Sequence, residues 1–265
     1  MAGTLVNDTV DHGRAFDWGR TSLDYSRHRP GYPPSFYERI TALGIGRPGQ
    51  RVLDLGTGTG NLARALARRG CKVTGIDISE PQVSEARRLA AEEGLNVDFL
   101  VRPAEETGLA DQSFDVVAAA QSWLYFDRDR ATIETRRLLA PGGQLLTCHI
   151  GWLPRLDHIA EKTEELILKF NPDWTGADMS GEVTPSPKWI GRDFVVSAFF
   201  VYQEAIPFTR KGWRGRIRAC RAIGAELRDE EIEKFDKEHA ELLERITTDD
   251  FTVLHWIDGH ILTPK

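Results

Sequence analysis

Residues 51–63, RVLDLGTGTGNLA, decide the fold. An apolar run carrying one acid, Asp54, breaks into three glycines spaced two apart, and an Ala/Leu/Arg-rich segment follows. That order reads as strand, tight turn and helix. Gly56, Gly58 and Gly60 have no Cβ, so the backbone there can take positive φ and a ligand can lie directly against it. A helix opening near Asn61 presents unpaired N–H groups and the positive end of a dipole, which suit a carboxylate or the polar edge of a nucleotide-like cofactor. The next apolar run, CKVTGIDIS at 71–79, reaches Asp77, seventeen residues beyond Gly60. An acid near that interval hydrogen-bonds ribose hydroxyls in nucleoside-binding βαβ units, the alternative being a solvated aspartate at a strand end.

A dinucleotide and S-adenosylmethionine both satisfy this pattern, and the glycine spacing separates them. Dinucleotide folds use GxGxxG, whereas residues 54–60 read DLGTGTG, acid first and then GxGxG. Here the chain resembles the class I S-adenosylmethionine-dependent methyltransferases of small-molecule type, UbiE-like and trans-aconitate-methyltransferase-like. Asp54, Gly56, Gly58 and Gly60 match their first motif. RPAEETGLADQSFDVVAAAQSWLYF at 102–126 is similar to the third and fourth motifs, and LLAPGGQLL at 138–146 to the turn into strand five. The likeness extends over residues 25–150. It implies S-adenosylmethionine as cofactor and S-adenosylhomocysteine as product. It further implies Asp77 on the ribose, Ile78 on the adenine face, Ala104 and Glu105 at the adenine edge, and Gln121 facing the methionine part. Asp54 would organise the turn around the methionine ammonium. Tyr25 and Arg29 resemble an N-terminal lid whose arginine pairs with the cofactor carboxylate, a task suited to a guanidinium fork; a surface turn is the other reading of that stretch.

Strands are expected at 51–55, 72–76, 97–101, 114–120 and 144–150, with helices at 62–69, 81–93 and 130–139, the second opened by a capping box from Ser79 to Gln82. Strand and helix alternating at this rhythm imply an α/β, Rossmann-like, doubly wound, mostly parallel sheet. Late strands at 199–208 and 252–262 would add the antiparallel C-terminal hairpin that family members carry. Helical stretches at 34–43, 155–170 and 213–246 and a turn-rich DYSRHRPGYP at 24–33 complete the chain. The organisation expected is an N-terminal helical lid (1–50), a cofactor-binding core (51–152), and a cap insertion with C-terminal strands finishing the same domain (153–265).

A chain of 265 residues with 41% hydrophobic and 28% charged content is ordinary for a globular protein. No apolar run approaches the ~20 residues of a membrane span, and the N-terminus lacks an apolar signal core, so a cytoplasmic protein without membrane contact is expected. Cys71, Cys148 and Cys220 are too scattered for a disulfide framework or a zinc cluster, and no HxxxH, CxxC or DxD spacing suggests a metal. A net charge of −6 argues against broad nucleic-acid affinity. One local exception is the basic run Arg210, Lys211, Arg214, Arg216, Arg218 and Arg221 around Trp213, which could grip RNA. Acids at 226–244 make a charged helix pair the simpler reading, with one or two arginines reaching a pocket.

Methyl transfer to a small, largely apolar or aromatic metabolite is the expected function. An RNA methyltransferase, a nicotinamide oxidoreductase and a cofactor-bound protein with a non-methylating reaction are its rivals. His149, at the end of strand five, is the candidate general base, because histidine is the side chain whose ordinary titration spans neutrality. Tyr32, Trp123 and Trp152 are expected to line the substrate pocket, and His28 and His255 are alternative bases. Monomer and homodimer remain equally compatible with the sequence.

Overall fold

The computed structural model describes residues 4–5, 11–191 and 193–265, so part of the expected N-terminal lid lies outside the described residues. A short ribbon pairs Thr4–Leu5 with Phe16–Asp17. The helices are α1 (Ser22–His28), α2 (Pro34–Ala42), α3 (Asn61–Ala67), α4 (Glu80–Glu92), α5 (Arg128–Leu138), α6 (His158–Phe170), α7 (Arg210–Arg218) and α8 (Asp229–Ile246). The strands of the main sheet are β1 (Arg51–Leu55), β2 (Lys72–Asp77), β3 (Val97–Val101), β4 (Phe114–Ala120), β5 (Leu139–Trp152), β6 (Phe194–Thr209) and β7 (Asp250–Pro264). Their order is β3-β2-β1-β4-β5-β7-β6, mostly parallel with antiparallel C-terminal strands. The registers Asp54↔Gly75 and Ala120↔Cys148 align the carboxyl ends of β1, β2, β4 and β5, where ligands of such sheets bind.

The chain forms two compact units. The first comprises Gly31–Ile150, Val183–Tyr202 and Ile257–Lys265. Its strands β1 and β4 are buried along nearly their whole length, as parallel strands covered on both faces must be. Leu53, Leu55, Val117, Leu138, Leu145 and Phe194 are among the residues of one continuous core there. The second unit comprises Met1–Pro30, Gly151–Glu182 and Gln203–Trp256. Trp213 is fully buried at its centre, with Nε1–H donating to Thr163 Oγ1 at 3.0 Å and its ring edge-on to Trp152 at 5.8 Å.

Several local expectations need correction. The Pro141-Gly142-Gly143 turn does not precede the fifth strand but loops out within it: Phe114 pairs with Leu139 and Val116 with Gln144, so four residues bulge opposite one. The capping box at Ser79 is absent. Ser79 donates its N–H to Asp77 Oδ1 at 2.9 Å, and its own hydroxyl finds no partner among the described residues. The helix α1, Ser22–His28, takes in residues 24–28 of the stretch expected to be turns. The expected helix at 155–170 starts later, because Asp157 caps it by accepting the N–H groups of Ile159 and Ala160, each at 2.9 Å. The helical stretch at 213–246 breaks into α7, a π-turn at Arg221–Ala225 and α8. Among the described residues no helix is long and apolar enough to cross a membrane.

Candidate functional site

The turn after β1 is built from main-chain conformation. Gly56, Gly58 and Gly60 have φ of +65°, +56° and +77°. A Cβ on Gly56 would lie 2.5 Å from Ser122 Cβ, and one on Gly60 2.8 Å from the Phe99 ring. At Gly58 it would meet nothing nearer than Gln82 Oε1 at 3.7 Å, so this glycine's outer side is open. Asp77 fastens the turn to β2: its Oδ2 accepts the Gly58 N–H at 2.9 Å while Oδ1 holds Ser79. Burial raises the Asp77 pKa, and the amides of Ser79, Gly58 and Ile78 oppose that rise.

Asp54 lies beneath the turn, fully enclosed. Its Oδ2 accepts the Thr57 hydroxyl at 2.7 Å, whereas Oδ1 makes no hydrogen bond among the described residues. Burial pushes its pKa up to about 7, with Thr57 pulling the other way. The Ala63 amide at the start of α3 also favours the ionised form, although it falls short of hydrogen-bond geometry. The sequence reading did not single out Thr57.

Ile78, just after β2, is 48% exposed, beside the half-buried Asp77. Ala104 is buried, and Glu105 Oε1 accepts the Asp127 N–H at 2.9 Å. Gln121 follows β4 with φ of +64°, a conformation that non-glycine residues adopt at a cost. It is held there by its N–H on Cys148 O at 2.9 Å and by its side-chain amide on Ile150 O. Ser122 Oγ donates to Leu55 O at 2.6 Å, locking the end of β4 to that of β1.

At the end of β5, His149 Nδ1 sits 3.0 Å from Asp258 Oδ1, and its imidazole is 30% exposed. Asp258 is buried, with His260 Nδ1 3.8 Å away on its other side and His260 Nε2 2.9 Å from Thr184 O. A carboxylate can only accept, so the Nδ1 of His149 carries the hydrogen and Nε2 presents a lone pair. Asp258 was not among the expected site residues. Trp123, by contrast, packs in the core: it is 3% exposed, 5.0 Å from Trp189 and within the first unit's apolar cluster. Tyr32 stacks on Phe36 at 4.1 Å.

Tyr25, Arg29 and Trp152 belong to the second unit, where Arg29 lies over the Tyr25 ring at 4.6 Å. The basic run is a charged helix pair rather than an open cationic face. Arg214 and Arg218 both bind Asp236, Arg218 also binds Asp24 at 2.8 Å, Arg210 pairs with Asp249 at 3.1 Å, and Arg221 with Asp11. Among the described residues no group of three or more His, Cys, Asp or Glu is arranged to hold a metal ion.

Comparison with known proteins follows the same residues. The family model described as a methyltransferase domain matches residues 52–143. A demethylmenaquinone methyltransferase of Thermus thermophilus is 40% identical over 145 residues, 54% of this chain and 58% of that protein. A ubiquinone biosynthesis O-methyltransferase of Hahella chejuensis is 36% identical over 130 residues, 48% of this chain and 55% of its own. An uncharacterized methyltransferase of Mycobacterium tuberculosis is 36% identical over 141 residues, 51% of this chain and 55% of its own. The chain thus spans little more than half the length of the curated relatives it matches. Among solved structures, a candidate type II methyltransferase from Anaeromyxobacter dehalogenans superposes with a TM-score of 0.60 at 24% identity, covering 88% of this chain and 96% of that one. YjhP from E. coli does so at 0.54 and 22%, covering 93% and 99%. At these identities the two structures show the fold alone.

Proposed function

With residues 52–143 forming a methyltransferase domain of the class I, S-adenosylmethionine-dependent kind, we propose that the chain transfers a methyl group from this cofactor to a small, largely apolar or aromatic metabolite. One observation carries the reading: an open glycine at position 58 beside buried Asp54 and half-buried Asp77, with Asp54 Oδ1 making no hydrogen bond among the described residues, fits the amino-acid and ribose ends of the cofactor. When bound, S-adenosylmethionine supplies a methyl group already made electrophilic by its sulfonium.

The chain's own residues then bind, orient and move one proton. Asp77 has lone pairs left after its two amide bonds and accepts from the ribose hydroxyls. Exposed Ile78 covers the adenine face, and Ala104 and Glu105 meet the adenine edge. Gln121, Gly56 and Gly60 shape the methionine end, where Asp54 faces the ammonium. His149 takes a proton from the acceptor at Nε2, and Asp258 holds the Nδ1 hydrogen and stabilises the charged ring that results. Positioning alone supplies on the order of 7–11 kcal/mol in favourable cases, so little further machinery is required. The names of two relatives, for demethylmenaquinone and for ubiquinone biosynthesis, support an apolar or aromatic acceptor. Titration calorimetry with S-adenosylhomocysteine and with NAD tests the cofactor assignment, and methyl incorporation into aromatic small molecules against total RNA tests the acceptor. NAD binding without S-adenosylhomocysteine binding, or methylation confined to RNA, would remove the reading.

A further inference from the structure

The two edges of the main sheet are finished differently. At one edge, β3 is five residues long and carries Asp98, and Arg87 Nη2 donates to Phe99 O at 2.7 Å. A charge, a short length and a covered carbonyl all discourage an edge strand from pairing with another chain. At the other edge, β6 is sixteen residues long, and residues 194–203 include no charge and no proline. Among the described residues β7 is its neighbour on one side, and no strand pairs with the other.

Side chains alternate along β6. The odd-numbered residues face outward: Val195 is 48% and Val201 43% exposed, with exposed Ser197 between them. The even-numbered residues turn inward, where the Phe200 ring lies 6.1 Å from that of Phe36 and Tyr202 Oη 2.8 Å from Ser35 Oγ. Val195 and Val201 stand three residues either side of Ala198. A second copy laid antiparallel about a twofold axis at Ala198 therefore sets Val195 of each copy opposite Val201 of the other. The same register sets Val196 opposite Phe200, and the small Ala198 meets itself at the axis. Aromatic and β-branched residues directly opposed are favourable in antiparallel ladders, and no like charges meet. Pairing then covers residues 194–202 and stops short of Glu204 and Pro207. Moving the axis to Phe199 would put Glu204 opposite Phe194, and moving it to Ser197 would put Asp193 opposite Val201.

We propose that β6 pairs with β6 of a second copy of this chain, antiparallel about Ala198, so that one sheet runs through a symmetric dimer. Unpaired main-chain groups along the edge gain partners, and every side-chain contact occurs twice because the same patch serves both copies. The paired segment belongs entirely to the first unit, and none of its residues takes part in cofactor binding or methyl transfer.

Sedimentation velocity on the full chain should show a dimer whose share rises with concentration. Val195→Lys and Val201→Lys, both at exposed positions, should each raise the dissociation constant by about tenfold or more, since each sets a charge opposite a valine twice per dimer. Val101→Lys, on the opposite edge and 39% exposed, should leave the mass distribution unchanged. Cysteine pairing reads the register and keeps the test valid if a lysine variant folds poorly. Val195→Cys and Val201→Cys proteins should form an intermolecular disulfide under mild oxidation when mixed. Neither should do so by itself, because like positions lie about 20 Å apart across the axis, far beyond disulfide reach. Cys71, Cys148 and Cys220 are buried and stay out of the exchange. A monomer at every concentration, a dimer that both lysine variants leave intact, or disulfides forming as readily in one cysteine variant as in the mixture would overturn the proposal.

Discussion

The ends of β1 and β2 hold their polar groups in one way, and His149 on β5 with Asp258 on β7 in the opposite one. At the first pair, Asp77 is gripped by two backbone amides, and Asp54 by a hydroxyl three residues along, all between residues 54 and 79. At the second pair, His149 is gripped by the side chain of Asp258, 109 residues away. One site is made of main-chain conformation and fails when a Cβ is added. The other is made of a side-chain pair and can be dismantled while the fold stays intact. Binding and catalysis should therefore respond to different mutations.

The sharpest way to break this contrast is at the turn. In Gly56→Val a β-branched residue is forced to φ of +65° with its Cβ 2.5 Å from that of Ser122. Strain and overpacking together should cost about 3 kcal/mol of stability or more and abolish S-adenosylhomocysteine binding. Gly58→Ala should separate the two losses. Its Cβ has room, so the fold should lose only about 1–2 kcal/mol to the positive φ, while binding falls because the methyl group occupies the ligand's side of the turn. Thermal unfolding and calorimetry on both variants check this, and an unchanged midpoint in Gly56→Val would deny the turn its structural role.

At the other site the expected effect is kinetic. His149→Ala should lower kcat by about a hundredfold, within the range for a lost general base. Asp258→Asn should lower it by about tenfold or more, because an amide can donate to Nδ1 and leave the hydrogen on Nε2. Neither should alter S-adenosylhomocysteine affinity, and the double variant should be no slower than His149→Ala by itself. Additive losses would mean that Asp258 does not act through His149.

The same contrast governs what could be read from the chain. Asp54, the three glycines and Asp77 lie at fixed spacings within two adjacent strands, so strand, turn and acid were legible together. The His149 and Asp258 pairing depends on which late strand lies beside β5, and no local spacing encodes that neighbour. Trp123 shows the limit of such reading, because an aromatic residue at a strand end reads alike whether it faces a pocket or packs, as this ring does, against Trp189 in the core. The acids following the basic run foretold the helix pairing.

A smaller effect is expected at the ribose. Asp77→Ala removes an acceptor of charged-group strength and should weaken binding by about 1.5–3 kcal/mol. Because Asp77 also ties down the Gly58 and Ser79 amides, some unfolding free energy should go with it. Methylthioadenosine, which retains the ribose, should lose the same amount as S-adenosylhomocysteine. A loss seen only with the latter would move Asp77 away from the ribose.

The mildest test exploits the pH response of Asp54. Its pKa is about 7 in the folded chain against 3.8 for an ordinary aspartate, so the folded form holds a proton that the unfolded form releases between those values. The resulting stabilisation is complete below pH 3.8 and is lost as the pH rises through about 7. The unliganded chain should therefore lose unfolding midpoint from pH 5 to pH 8, less so in Asp54→Asn, which mimics the protonated acid at every pH. An ammonium group beside Oδ1 would favour the ionised form and draw the pKa back down. S-Adenosylhomocysteine should then release part of a proton on binding near pH 6 and bind a few-fold more tightly at pH 8 than at pH 6. Calorimetry in two buffers of different ionisation heat measures that proton directly. If the apparent binding heat is the same in both buffers, the ammonium does not lie beside Asp54, and the orphaned oxygen belongs to the turn rather than to the cofactor.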